Sequence, residues 1–218
     1  MPKYDYIIIG AGAAGLLLAD ALGKDEFFAS KSILVLDKDD KTKNDRTWCF
    51  WEHGKGQFDD LIYKTWDTIY VGGQLLQQST SIAPYTYKML RGIDFYNHFL
   101  PKIKAYPNIT WVQEEVEHIE EQEKEVLVTT SSQKFKGQTV FSSLYDPSTP
   151  LKQGKYPVLQ QHFVGWLIKT EQSVFKSTEA TFMDFSVPQK GNTRFMYVLP
   201  FSGNEALVEY SLFSEHLL

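Results

Sequence analysis

The chain has 218 residues, with 22 Lys and Arg against 27 Asp and Glu, a formal net charge of −5 and a pI near 5.6. That balance excludes an electrostatic case for nucleic-acid binding. A single cysteine, Cys49, excludes an intrachain disulfide framework and fits a reducing compartment. Aromatic residues reach 15%, enough for a thick core or for a large apolar cavity.

The first element is "YDYIIIGAGAAGLLLADALG". It is too interrupted by Asp5, Asp20 and regularly placed glycines to be a signal peptide, and no other run is long and apolar enough to span a bilayer. The expected product is cytoplasmic. The stretch reads as a buried strand over Tyr4–Ile9, a glycine turn and a helix that stops at Gly23. Gly10, Gly12 and Gly15 carry the G-x-G-x-x-G spacing. The first permits a tight turn, the second lets backbone amides approach a pyrophosphate, and the third allows close packing of helix on strand. Phosphates would sit at the positive end of the helix. A second strand, "SILVLDK", ends in Asp37, placed to accept hydrogen bonds from the adenosine ribose. Strand, glycine turn, helix, strand and terminal acid together indicate dinucleotide binding.

The next stretch, "KNDRTWCFWEHG", reads as a Trp-rich loop. "WDTIYVGGQLLQQSTSIAPYTYKML" then alternates in β fashion around Gly72-Gly73, a hairpin signal. "RGIDFYNHFLPKIKAYP" is helical, and "ITWVQEEVEHIEEQEKEVLVTTSSQKFKGQTVFSSL" reads as four short strands, with the acidic run Glu114–Glu125 in a solvated hairpin. A β-meander inserted into a nucleotide-binding domain, followed by a strand-rich region, favours FAD over NAD. Pro147, Pro150, Gly154 and Pro157 mark a connection. The expected division is a FAD-binding domain over 1–150, with 66–85 folding onto the substrate sheet, and a substrate domain over 151–218. The expected fold class is α/β, a Rossmann-like FAD-binding domain with an antiparallel β-sheet for substrate.

"YKMLRGIDFYNHFL" resembles the segment that contacts flavin in the hydroxylase-like branch of FAD-dependent flavoproteins, which would make Arg91 a cofactor contact. The order of the glycine fingerprint, "DRTWCFW", "QQHFVGW", "TFMDFSVPQ", "RFMYVLPFS" and "ALVEYSLFS" closely resembles the lycopene cyclase family, in particular bacterial lycopene β-cyclases. The resemblance implies a flavoprotein that converts the linear ends of lycopene into β-ionone rings in carotenoid biosynthesis. It implies FAD working in its reduced form with no net redox change, NADPH as the reductant, and a peripheral location on the inner face of the membrane, where the substrate resides. Members of the family continue beyond "FSEHLL", so the chain is expected to be truncated at its C-terminus.

Such chemistry needs a protonated, water-shielded acid, carbon and π surfaces around a tertiary carbocation, and removal of a neighbouring C–H proton. Arg46, beside Asp45, would favour a reduced, anionic isoalloxazine, and Trp48, Phe50 and Trp51 would form the apolar substrate wall. In "NEALVEYSLFS" strict alternation puts Leu207, Glu209, Ser211 and Phe213 on one face. Burial there would raise the Glu209 pKa toward the form an acid catalyst requires. Glu209 also matches the first acidic residue of the family's motif at this point, while Tyr210 replaces the second. Asp184, read as sharing a face with Phe182 and Ser186, is the second catalytic candidate, to orient Glu209 or accept the final proton. His162 and Cys49 read as structural, and no Cys/His spacing suggests a metal site. Two other function classes stay open: a FAD-dependent hydroxylase or polyprenyl reductase of the same superfamily, and a non-catalytic fragment.

Overall fold

The computed structural model describes residues 1–217, the side chain of Leu151 apart. The chain divides into two units. The first takes residues 1–47 and 91–146, and the second takes residues 48–90 and 147–218.

In the first unit, strand β1 (Lys3–Ile9) leads into helix α1 (Ala13–Lys24) and then β2 (Ile33–Asp37). After the chain returns from the second unit, α2 (Gly92–Ala105) precedes β8 (Ile109–Gln113), β9 (Val116–Glu121), β10 (Val126–Thr130) and β11 (Lys134–Ser142). The sheet order is β8-β2-β1-β11-β10-β9. The first four strands run parallel, and β9 and β10 add an antiparallel extension. Ile7, Ile9, Leu34, Leu36, Val128 and Phe135 are fully buried in one cluster. Continuous apolar runs such as "YIII" and "ILVL" suit strands covered on both faces. The acidic run Glu114–Glu125 does contribute a hairpin strand, β9.

Gly23 does not stop α1, which continues through Lys24. A Cβ on Gly23 would lie 2.3 Å from the Tyr106 ring, whose hydroxyl donates to Asp20 Oδ1 at 2.9 Å. Its bare backbone therefore seats the residue that follows α2, and the helix ends one residue later without a left-handed glycine.

The second unit begins with β3 (Thr47–His53), so the Trp-rich segment is a strand rather than a loop. β4 (Ile62–Trp66), β5 (Thr68–Gly72), β6 (Gln77–Ser81) and β7 (Tyr85–Arg91) follow. A short helix α3 (Ser148–Leu151) then precedes β12 (Gln160–Lys169), β13 (Glu179–Asp184), β14 (Thr193–Pro200) and β15 (Glu205–Ser214). β3-β7-β4 form a three-stranded sheet, and a six-stranded sheet runs β12-β15-β14-β13-β5-β6. The β5–β6 hairpin joins that sheet through a parallel pairing of β5 with β13. The segment belonging to this unit is longer than residues 66–85. It spans 48–90, because β3, β4 and β7 lie here as well. Trp66, Tyr87, Met89, Ala180 and Leu199 form a buried cluster in this unit, with Cys49, Phe182 and Leu207 packed against them. Trp66 is 1% exposed, and its indole N–H donates to the Pro200 carbonyl at 3.2 Å.

Candidate functional site

In the first unit a pocket of about 330 Å³ opens at the carboxyl ends of the parallel strands. Ile9, Gly10 and Gly12 line it from the β1–α1 turn, Leu36 and Asp37 from the end of β2, and Ser143 and Leu144 from beyond β11. Strand order reverses at β1, and ligands of open α/β sheets bind at such a reversal.

The three glycines divide their work. Gly10 has φ +93°, and a Cβ there would lie 1.9 Å from Ser143 Oγ, a hydroxyl that donates to the Ile9 carbonyl. A Cβ on Gly15 would lie 1.9 Å from the Gly10 carbonyl oxygen. Gly12 alone faces open space. It stands at the N-cap of α1 with no side chain capping the helix, so the first-turn amides are left to a ligand. Uncapped amides at a helix start suit an anion, and the space at Gly12 fits the pyrophosphate of a dinucleotide.

Asp37 closes this space from β2. Its Oδ2 accepts the Ala11 N–H at 2.5 Å, its Oδ1 accepts the Asp39 N–H at 2.8 Å, and Lys41 Nζ lies 3.1 Å from Oδ1. A carboxylate offers about four acceptor positions, so one remains for a ribose hydroxyl. Lys41, at φ +58°, also lines the pocket. Sequence reasoning missed it because nothing local marks a lysine four residues after the acid as its cover.

Asp45 and Arg46 line the same pocket. Tyr96 donates to Asp45 Oδ1 at 2.9 Å, and burial with that bond pushes the Tyr96 phenol well above its usual range. Gly92 N–H donates to the Arg46 carbonyl at 2.7 Å, and Asn44 Oδ1 accepts the Ile93 N–H. Residues 44–46 are thus pinned to the start of α2, while the Arg46 guanidinium reaches the Asp45 carbonyl at 2.8 Å. Arg91 does not line this pocket. It makes a two-pronged ion pair with Asp94, at 2.6 and 3.0 Å.

The second unit holds Glu209 among aromatic rings. Leu207, Glu209, Ser211 and Phe213 share one face, since β15 pairs without a break on both sides. Tyr197 is the cross-strand neighbour of Glu209 on β14 and Gly165 its neighbour on β12. Burial raises the Glu209 pKa, and among the described residues no cation pairs with it. The Tyr87 phenol is likewise pushed far up, by burial first and then by Cys49, Tyr197 and Glu209. Burial takes the Cys49 thiol up to about 11. Around them Trp51 packs on Tyr87 at 5.1 Å and on Phe182 at 5.2 Å, and Phe182 on Tyr87 at 5.6 Å and on Tyr197 at 5.9 Å.

Two expectations are corrected here. Because residues 47–53 form a strand, alternation splits the expected Trp48–Phe50–Trp51 wall. Trp51 joins the aromatic cluster beside Tyr87, with Cys49 on its side. Phe50 faces the other way, against Phe58, and Trp48 shares the Phe50 side. Asp184 does not share a face with Phe182 and Glu209. A bulge lies between Thr181, opposite Val198, and Asp184, opposite Met196. The extra residue inverts the alternation, placing Asp184 in register with Met196 and Tyr210. Its Oδ1 accepts the Ser186 N–H at 2.9 Å. Asp184 is therefore not positioned to orient Glu209. Tyr87, Tyr197 and Gly165 are the neighbours that sequence reasoning missed. The alternation of "YTYKML" could have marked Tyr87 as inward-facing, but its partner strands are too far away in sequence to be read locally.

Among the described residues no group of three or more His, Cys, Asp or Glu could hold a metal ion, and no helix is long and apolar enough to cross a membrane.

A family model described as "Lycopene cyclase protein" matches residues 5–217, and no curated protein matches the chain. Solved structures share the fold at low identity. PqsL, a probable FAD-dependent monooxygenase from Pseudomonas aeruginosa, is 13% identical with a TM-score of 0.58, covering 96% of this chain and 60% of its own. The flavin-dependent brominase Bmp2 is 16% identical with a TM-score of 0.63, covering 97% and 56%. The p-nitrophenol 4-monooxygenase PnpA from Pseudomonas putida is 16% identical with a TM-score of 0.62, covering 97% and 57%. The chain thus spans less than two thirds of the length of these structures, and its α/β fold is that of FAD-dependent monooxygenases.

Proposed function

Because this chain belongs to the lycopene cyclase family, we propose that it is a FAD-binding protein acting on the ends of lycopene or a related linear carotenoid, with Glu209 as the proton donor. The observation that carries this reading is Glu209 itself, a carboxyl with no cation partner among the described residues, raised in pKa by burial and set beside Tyr197 and the Trp51–Tyr87–Phe182 cluster. Burial of this kind favours the protonated carboxyl over the carboxylate, the direction an acid catalyst needs.

The steps assigned to this chain's residues balance without a net oxidant or reductant. Glu209 gives its proton to a terminal C=C of the substrate, leaving a tertiary cation and a carboxylate. The next double bond attacks the cation and closes the ring. A neighbouring C–H proton then passes to the Glu209 carboxylate, which restores both a neutral alkene and the acid. The aromatic faces of Trp51, Phe182 and the two tyrosines attract a cation by roughly 0.5–2 kcal/mol each and offer it no nucleophile. Tyr87 and Tyr197, both raised in pKa, stay neutral and cannot trap it as phenolates.

In the first unit Gly12 and the free amides of α1 would hold the pyrophosphate of FAD, and Asp37 the adenosine ribose. Arg46, on the same pocket, carries the positive charge that favours an anionic flavin. Reduced FAD, formed at the expense of NADPH, would supply the negative charge that favours carbocation chemistry. A substrate of this kind resides in membrane, so the protein would work at a bilayer surface.

The test is ring formation from lycopene by the full chain loaded with reduced FAD, comparing the parent with Glu209→Gln. Loss of the transferable proton should lower the rate roughly 10²–10⁴-fold while flavin content, read by absorbance, is unchanged. Parental cyclisation by the flavin-loaded variant would remove Glu209 from the mechanism. Stoichiometric NADPH consumption per product would instead indicate a hydroxylase or reductase.

A further inference from the structure

We propose that Gly165 is a positioning residue for Glu209, and that it holds open the place where the end of an apolar chain meets the carboxyl. The proposal rests on the reading of Glu209 as the acid.

Gly165 lies in β12, the edge of the six-stranded sheet, directly opposite Glu209. A Cβ built on it would stand 3.3 Å from Glu209 Cγ, tighter than ordinary van der Waals contact, and 3.4 Å from Oε1, in contact with it. The Glu209 side chain therefore lies across the bare backbone of the edge strand. Nothing in the backbone calls for glycine at this position, because Gly165 is not among the residues with positive φ. A glycine inside a strand weakens it and often marks a close approach. What approaches here is the carboxyl.

The neighbours on the same face extend the argument. Phe163 and Leu167, two residues to either side, share the face of Gly165 and are 60% and 76% exposed. An apolar residue thus stands on each side of a gap floored by glycine and spanned by a carboxyl. An isoprenoid end laid between Phe163 and Leu167 meets the acid at the gap. Any side chain at 165 would fill that gap and push the carboxyl aside.

Two kinds of role for Gly165 predict opposite outcomes. If the glycine serves the fold, Gly165→Ala lowers thermal stability. If it serves Glu209, alanine stiffens the strand, the thermal midpoint holds or rises, and the carboxyl moves by a few tenths of an ångström. The experiment uses the full chain labelled with ¹³C at the glutamate δ position. The Glu209 resonance is identified by its absence in Glu209→Gln. The control is Gly154→Ala, where an added Cβ meets nothing within 4 Å. Gly165→Ala should shift the Glu209 resonance and its titration midpoint, and Gly154→Ala should shift neither. An unmoved Glu209 signal, or a lowered thermal midpoint in Gly165→Ala, overturns the proposal.

Ring formation from lycopene separates this proposal from the reading beneath it. Gly165→Ala should lower kcat by roughly tenfold, in keeping with the sensitivity of catalysis to small misplacements, with KM near the parental value. Loss of activity in Glu209→Gln together with full activity in Gly165→Ala overturns the positioning role and leaves the acid in place. Parental activity in Glu209→Gln together with a shifted resonance in Gly165→Ala overturns the acid, while the steric role of Gly165 holds.

Discussion

Gly12 and Gly15 belong to the same fingerprint, yet alanine at the two positions should do different things. At Gly15 the new Cβ would sit 1.9 Å from the Gly10 carbonyl oxygen and 3.0 Å from its carbon. Contact between a methyl group and an oxygen requires about 3.2–3.4 Å, so helix and turn must separate by more than ~1 Å. Forcing such a shift in a packed core costs about 1–3 kcal/mol or more. The obstacle is backbone, which has no rotamer to escape into. For a chain of this size each kcal/mol lowers the midpoint by roughly 2–4 °C, giving a fall of about 2–12 °C. At Gly12 the φ of −73° suits alanine and the added methyl group meets nothing. The stability loss should stay under about 1 kcal/mol, the scale of an N-cap change. The methyl group does occupy the approach to the helix amides, and losing one charge-assisted hydrogen bond is worth about 1.5–3 kcal/mol, or roughly a 10–100-fold weaker flavin affinity. Thermal unfolding by circular dichroism and titration of FAD by fluorescence quenching read the two effects separately. Parental melting of Gly15→Ala, or parental FAD affinity in a folded Gly12→Ala, would refute the reasoning.

Glu209 should also leave a mark on stability. Its folded pKa is raised, so its contribution is full below the ordinary glutamate range of roughly 4.3 and is lost as pH rises through the folded value. Glu209→Gln should therefore melt near the parent at pH 4 and increasingly above it at higher pH. A difference that shrinks with rising pH would contradict the assigned direction. Trp66→Ala empties the centre of the second unit and strands the Pro200 carbonyl. Denaturant titration should show a loss of about 3–5 kcal/mol, and a loss under 1 kcal/mol would mean the site collapses freely. Cys49, with its thiol raised to about 11, should resist iodoacetamide at pH 8 in the folded chain and react on unfolding. Rapid alkylation of the native protein would place the thiol outside the core.

What could be read from the sequence follows the range over which each signal acts. The glycine turn, α1, the β5–β6 hairpin and the Glu209 face each rest on residues within about ten positions, where spacing and alternation are direct. Residues 47–53 escaped because two tryptophans beside a charged pair look like a loop. Their strand character comes from pairing with β7, some 40 residues on. Asp184 was misplaced because one extra residue inverts a face and leaves no mark in composition. Gly23 looked like a stop until Tyr106, far along the chain, supplied the ring it accommodates. Gly165 gives no sign at all without its cross-strand partner. Local periodicity thus located the acid, while its neighbours were set by tertiary pairing.

The chain passes from one unit to the other at Thr47–Trp48, Leu90–Arg91 and Asp146–Pro147, so neither unit is one continuous length of polypeptide. Ribosomal synthesis must deal with this in order. The β5–β6 hairpin, complete by Ser81, leaves the ribosome roughly 100 residues before its parallel partner β13. At about 5–20 residues per second, β5 waits on the order of 5–20 s with an unpaired edge. The whole of residues 91–146 is made in that interval, so the unit that carries the glycine turn can close first and the other last. An unpaired strand edge is a template for wrong partners, so this wiring leaves the β5 edge open to mispairing until β13 is made.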